Sequence, residues 1–206
     1  MISTANHSKI PTHKAESTWG QRLARWFFYK IMGWTLSAEA PNFDKCIICA
    51  VPHTSNWDLV VGKIFYKAIG RRTYFMMKNS WFFWPIGTLF KWMGGIPVFR
   101  SKQTSLVEQV VHAFRDRDQF ALAITPEGTR RPNPHWKKGF YFMALNANVP
   151  ITLARIDYKK KEVRMDKFII PSGDYQTDLQ EIKDYYKDAT GKNPEWFDLG
   201  KISSSK

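Results

Sequence analysis

The sequence predicts a single α/β domain, a mixed and largely parallel sheet flanked by helices, with an N-terminal amphipathic helix ahead of it. Three observations carry this. The chain has 206 residues, one domain of ordinary size with enough length to bury a core. From Lys45 onward, short apolar runs of strand length alternate with stretches of helical period. No internal repeat and no linker-like stretch divides the chain, and 44% hydrophobic residues argue against disorder.

Residues 1–16 read as a flexible tail of mixed polar residues without an apolar core, so no secretory signal is expected. Residues 17–36 read as an amphipathic membrane-interface helix, capped by Ser17 or Thr18, with a body from Thr18 to Trp34. Trp19, Leu23, Trp26, Phe27, Ile31 and Trp34 recur at helical spacing, with Arg22 and Arg25 toward the other side and Lys30 near the boundary. Basic residues beside Trp and Phe describe a helix lying in an interface. Burial of the same rings in a core is the competing reading, and both can hold for different parts of the stripe.

The alternation that follows places strands at 45–50, 73–78, 96–99 and 120–125, and helices at 56–69, 104–115 and 139–148. Residues 150–158 and 162–169 read as a hairpin about a Lys-rich turn at 159–161, and 175–187 as a closing helix. Residues 80–93 (SWFFWPIGTLFKWM) read as an aromatic helix with Pro85 in its first turn or at a kink. That helix is apolar around most of its circumference and too short to span a bilayer. It is expected to line an apolar groove or to dip into an interface. No uninterrupted apolar run of about 18 residues is present, so any membrane contact is expected to be peripheral.

The formal net charge of +13 implies a polyanionic partner: nucleic acid, anionic lipid headgroups or phosphorylated substrates. The basic residues are scattered and no nucleic-acid motif occurs, so nucleic acid is set aside. Aromatics at 16%, nine of them Trp, suit surfaces that are half wet and half apolar. Cys46 and Cys49 have the spacing of a redox or zinc pair, but they sit in a strand-like run, KCIICAV, where positions three apart face opposite sides. With no second pair they read as core thiols in a reducing compartment, and no metal is expected.

Four segments carry candidate chemistry. Pro52-His53-Thr54-Ser55-Asn56-Trp57-Asp58 follows the first core strand, and strand ends are where α/β sites collect. His is the natural base near neutral pH, and a carboxylate can fix its tautomer. Five apart, the two side chains diverge on a continuous helix and converge only if a turn separates them. Thr125-Pro126-Glu127-Gly128-Thr129-Arg130 follows another apolar strand, with Arg130 suited to a phosphate or carboxylate. Gly94-Gly95-Ile96-Pro97-Val98-Phe99-Arg100 offers a second candidate anion binder, and Val149-Pro150-Ile151 leads into a strand.

Together and in this order, these blocks resemble the four motifs of the glycerolipid acyltransferase family, typified by lysophosphatidic acid acyltransferases. The resemblance spans about residues 45 to 157 and implies an acyltransferase domain over 37–206. It implies that His53 deprotonates the acceptor hydroxyl and that Asp58 orients and charges the histidine. The hydroxyl then attacks the thioester of acyl-CoA or acyl carrier protein, without a covalent acyl-enzyme, cofactor or metal. It further implies that Arg100, Glu127, Gly128, Thr129 and Arg130 hold the acceptor's polar head, with Val149, Pro150 and Ile151 on the acyl-donor side. From the residues themselves, 74–93 can supply a groove for the acyl chain, and Arg131, Lys137 and Lys138 add cations for phosphate. The expected partners are a lysolipid acceptor, the thioester donor and an anionic membrane surface, with the protein peripheral on the cytoplasmic face of the cell membrane. 1-Acylglycerol-3-phosphate is the leading acceptor. A different lyso-lipid head, such as an amino-acid lipid, or a non-catalytic lipid-binding role stays open.

Overall fold

The computed structural model describes residues 18–39, 41–99 and 105–200. The expected tail at 1–16, Ser17 and Arg100 lie outside the described residues.

The strands are β1 (Thr35–Glu39), β2 (Lys45–Val51), β3 (Tyr74–Lys78), β4 (Gly95–Val98), β5 (Phe120–Ile124), β6 (Ile151–Asp157) and β7 (Glu162–Ile169). They form one sheet in the order β1-β7-β6-β2-β5-β3-β4. Five neighbours, β6 to β4, run parallel; β7 returns antiparallel to β6, and β1 pairs parallel with β7. The helices are α1 (Trp19–Trp26), continued by a π-helical segment Phe27–Ile31, then α2 (Trp57–Ala68), α3 (Ile86–Trp92), α4 (Leu106–Arg115), α5 (Gly139–Ala147) and α6 (Tyr175–Tyr186).

The central strand β2 is buried on both faces, which is why KCIICAV reads as a continuous apolar run. Ile47, Cys49 and Val51 enter one core with Phe114 of α4, Phe140 of α5 and Ile182 of α6. Cys46 and Ile48 enter the other with Phe28, and with Val61 and Phe65 of α2. The two thiols therefore lie on opposite faces. Burial pushes Cys46 up to about 11 and Cys49 up to about 12, so both stay protonated and unreactive.

The N-terminal stripe divides between the two readings. Phe28 and Trp34 are core, whereas Trp19 (77% exposed), Leu23, Trp26 and Ile31 face outward. The packing face is made of small residues instead: a Cβ on Gly20 would sit 3.6 Å from the Lys67 stem of α2, and Ala24 packs against the core. Thr18 caps α1, its Oγ1 accepting from the Gln21 N–H at 3.2 Å.

Two expectations are corrected. The helix assigned to 17–36 ends at Ile31. Gly33 takes a left-handed φ of +67°, and the Thr35 N–H then donates to the Lys161 carbonyl at 2.8 Å, opening β1 beside β7. The stretch TLSAE has little period of its own; the unpaired edge of β7 makes it a strand. Nor is 80–93 one helix. Asn79–Trp81 is a single 3₁₀ turn and α3 begins only after Pro85. Proline has no N–H to continue a preceding turn and disfavours helical backbone at Trp84. The two pieces fold onto each other at Gly87, where a Cβ would come within 2.5 Å of the Phe82 carbonyl carbon.

The division of the N-terminal stripe is testable by urea unfolding. Phe28→Ala should cost about 3–5 kcal/mol, the range for emptying a core aromatic site. Trp26→Ala, at an exposed position, should change stability by no more than about 0.5 kcal/mol.

Candidate active site

β2 and β5 are parallel neighbours with Cys49 opposite Ile124, so the loops Pro52–Asn56 and Thr125–Arg130 leave the sheet side by side. They are tied together at one point. Both carboxylate oxygens of Glu127 accept the His53 backbone N–H, at 2.9 and 3.1 Å. Glu127 is only 4% exposed and is directed at the histidine's main chain. Gly128 follows with φ +69°, and its missing Cβ leaves room for the Lys137 stem.

His53 and Asp58 meet because the chain turns between them. Asp58 stands in the first turn of α2, where a carboxylate is favoured by the helix N-terminus. Residues 54–56 wrap back over it, so that Asp58 Oδ2 accepts from the N–H groups of Thr54 and Ser55, both at 2.9 Å. The same oxygen lies 3.1 Å from His53 Nδ1. The other oxygen accepts from the Tyr158 hydroxyl at 2.7 Å. With a carboxylate on Nδ1, the proton belongs on that nitrogen, which leaves the Nε2 lone pair as the basic one. Nε2 has no hydrogen-bond partner among the described residues.

Two supports escaped the sequence reading. Tyr158 sits just past β6, whose pairing of Arg155 with Val51 carries it to the level of the Thr54 turn. Desolvation and the Asp58 hydrogen bond both raise its pKa, so the phenol stays a donor. Asn193, beyond α6, donates from its side-chain amide to the Thr54 carbonyl at 2.8 Å and from its N–H to Thr54 Oγ1 at 3.2 Å. A lone Tyr before a lysine turn and a lone Asn carry no motif; only strand register could have pointed to Tyr158.

A cavity of about 480 Å³ opens beside this constellation, within the range of small-molecule sites (roughly 300–1,000 Å³). His53, Asp58, Gly128 and Arg130 line one part of it; Leu59, Phe65, Phe75, Met77 and Ile156 make much of the rest apolar. Lys63 lines it as well, donating to the Thr73 carbonyl at 2.7 Å and to Thr73 Oγ1 at 3.2 Å, just before β3 begins. Burial, with Arg72 nearby, pulls the Lys63 ammonium down to about 8. Of the segment expected to supply a groove, β3 lines the cavity and residues 79–93 do not.

The remaining candidates are dispersed. Thr129 Oγ1 accepts the Arg131 N–H at 3.2 Å, Arg131 lies over Trp196 at 5.3 Å, and Lys138 over Tyr175 at 5.1 Å. Val149, Pro150 and Ile151 stand at the opposite end of the sheet. Ile151 pairs with Ile47, six strand residues before His53, roughly 20 Å away. Val149 and Ile151 are core, and the Pro150 carbonyl accepts the Ile47 N–H at 3.0 Å. That block starts a central strand and does not line the cavity. Among the described residues, no group of three or more His, Cys, Asp or Glu side chains is arranged to hold a metal ion.

Comparison with known proteins assigns the class. The Acyltransferase family model matches residues 35–156, more than half of the chain, and the chain belongs to the acyltransferase family. Among solved structures, it is similar to the crystal structure of the 1-acyl-sn-glycerophosphate (LPA) acyltransferase, PlsC, from Thermotoga maritima. The TM-score is 0.55 at 14% identity, over 80% of this chain and 76% of that one, a likeness of fold. No curated protein is a significant sequence match.

Glu127 generates a pH prediction. Burial pushes its carboxyl up to about 8, the His53 N–H working against the rise and the Asp58 charge adding to it. The folded state thus holds a proton that the unfolded chain releases near 4.5. The associated stability is fully present below that value and is lost as pH rises through about 8. Glu127→Gln is neutral throughout, so denaturant unfolding should show wild type losing a few kcal/mol relative to this variant between these limits, on the order of 1.4 per pH unit. A pH-independent difference would count against the buried, raised carboxyl.

Proposed function

We propose that the protein transfers a fatty acyl chain from acyl-CoA or acyl carrier protein to the hydroxyl of a lysophospholipid-type acceptor, with 1-acylglycerol-3-phosphate the leading candidate. The observation that carries this reading is His53 Nδ1 held 3.1 Å from a buried carboxylate, with the ring at the wall of an apolar cavity. Nε2 accepts the acceptor's hydroxyl proton while the oxygen attacks the thioester carbonyl carbon. The tetrahedral oxyanion collapses, the C–S bond breaks, and the thiolate leaves with the proton that Nε2 had taken. Asp58 stabilises the imidazolium formed in between. No side chain becomes acylated, and no metal or cofactor enters the scheme.

The other residues take roles around that step. Glu127 holds the His53 main chain. Arg130, on the cavity wall, meets the acceptor's phosphate, with Gly128, Thr129 and Arg100 in the same binding role. The apolar part of the cavity takes the acyl chain. The outward stripe of α1 and the net charge of +13 support a protein lying on an anionic membrane surface, the cytoplasmic face of the cell membrane. No helix among the described residues is long and apolar enough to cross a membrane.

A thiol-release assay with acyl-CoA against a panel of lysolipids, with mass spectrometry of the product, tests the reaction. His53→Ala and Asp58→Ala should each abolish transfer in a folded protein. Tyr158→Phe should slow it by about tenfold, roughly one hydrogen bond to a charged group. Full activity in His53→Ala would sink the mechanism. Vesicle binding without thioester consumption in wild type would leave a lipid-binding protein.

Lys63 makes a second test. Its ammonium is held beside Thr73, just before β3, on the wall of the same cavity that Phe75 and Met77 make apolar, and we propose that it limits the length of acyl chain the cavity accepts. Lys63→Leu should shift donor preference toward longer chains, read as kcat/KM across an acyl-CoA series. An unchanged profile would remove Lys63 as the limit.

A further inference from the structure

The segment 79–93 is not used by the site. It forms a small lobe between β3 and β4, and Gly87 is its single buried residue from Trp81 to Trp92. Trp84 is 86% exposed and Trp92 81%, with Trp81, Phe83, Ile86 and Leu89 exposed beside them. So many large apolar side chains exposed within one short segment mark an interaction site rather than ordinary surface.

The exposure is built into the fold. Gly87 brings the Phe82 backbone onto α3, and the Phe82 and Phe90 rings meet edge to face at 6.2 Å. At the exit, Gly94 takes φ +88° with the Thr73 carbonyl 2.5 Å from where its Cβ would be, and a Cβ on Gly95 would meet the Phe90 carbonyl at 2.8 Å. The lobe is pinned at both ends, and its indoles are held in water.

Charge identifies the occupant. Basic residues are spread evenly, fourteen in 1–107 and seventeen in 108–206, but acidic residues number four in the first part and fourteen in the second. From Leu59 to Val107 there are eight Lys and Arg and no Asp or Glu, and Lys78 and Lys91 flank the exposed rings directly. Tryptophan tips with lysine flanks match the boundary between headgroups and acyl chains of an anionic bilayer. A second copy would bring a like-charged, acid-free surface against this one.

We propose that the 79–93 lobe is a second membrane foot, separate from the α1 stripe, which inserts its indoles into an anionic bilayer beside the cavity. It deepens the lipid-acyltransferase reading above and rests on it for the choice of a bilayer. Met77, Lys78 and Val98, at the lobe's two roots, line the cavity. The α1 helix packs on α2, which lines the cavity from its helical side. Both feet thus adjoin elements that line the cavity, and on this proposal a chain leaving the bilayer reaches His53 along that shared wall.

The test uses the full chain with Trp84→Cys carrying an environment-sensitive fluorophore; the native thiols Cys46 and Cys49 are buried and do not compete. With phosphatidylcholine vesicles containing a minority of phosphatidylglycerol, the label should shift to the blue and be quenched by brominated lipids. Salt should weaken the effect, and pure phosphatidylcholine should show less. In the unlabelled protein, Trp84→Ser with Trp92→Ser should lower vesicle affinity by about tenfold. Thiol release from short, soluble substrates should be unchanged in that variant. A label that stays in water while the protein is vesicle-bound would overturn the proposal. So would a label buried by raising protein concentration without lipid, which would assign the lobe to self-association. Failure of the acyl-transfer reading would appear separately, as absent thiol release with the vesicle response intact.

Discussion

Asp58 is a carboxylate 6% exposed, and the surrounding structure exists in large part to hold that charge. Burying an ionised carboxylate without partners costs several kcal/mol or more, so it is tolerated only where its lone pairs are met. Here four donors meet them: two backbone N–H groups, an imidazole and a phenol. The four donors come from three different constraints. The N–H groups need the 54–56 turn, the imidazole needs the end of β2, and the phenol needs β6 in register beside it. Asn193 and Gly191, from the chain's last described segment, close on Thr54 from the far side. The cost of one buried charge is thereby spread over β2, α2, β6 and the segment after α6.

The sheet order explains why these parts can meet. β2 lies between β5 and β6, and all three point the same way. Their C-terminal ends deliver His53, Glu127 and Tyr158 to one rim, although 74 residues separate the first two and 105 the first and last. Parallel neighbours do this by construction, because crossover connections return every strand to the same edge. The reversed pair β7 and β1 sits outside that arrangement. Its contribution is packing: Trp34, at the entrance to β1, meets Tyr158 edge to face at 5.0 Å and so backs the phenol that donates to Asp58.

Most elements from Lys45 onward are legible in the sequence because each carries its own period: continuous apolar runs for strands buried on both faces, 3.6-residue recurrence for helices. What is not legible depends on partners distant in sequence. β1 has no apolar run and becomes a strand through the edge of β7. The aromatic stretch 80–93 reads as one helix by composition, and Pro85 divides it. The candidate site shows the same split. His53, Asp58 and Glu127 stand out by residue type and by position after strands. Whether Glu127 faces a ligand or a backbone N–H is a matter of three-dimensional register, and so is the separation of the Val149–Ile151 block from the cavity. Tyr158 and Asn193 are ordinary residues whose use comes wholly from where β6 and the segment after α6 run.

The exposed aromatics sharpen what the composition implied. Nine Trp and a net charge of +13 do not by themselves separate a greasy core from a greasy surface. The structure spends Trp34 and Trp136 on the core and leaves Trp19, Trp26, Trp57, Trp81, Trp84 and Trp92 at least half exposed. Large aromatics are normally the side chains that gain most from burial. In α1 the packing face is instead given to the half-buried Gly20 and Ala24, among the smallest residues available, and Phe28 of the π-helical continuation is the first side chain to be fully buried. A helix that packs with its small residues and shows its indoles inverts the usual amphipathic arrangement. The membrane contact proposed above would account for the inversion, because the outer phase at the boundary of a bilayer is itself apolar. On that proposal a lipid acceptor and the protein's exposed rings share one interface, and the apolar cavity beside His53 is where the acceptor would leave it.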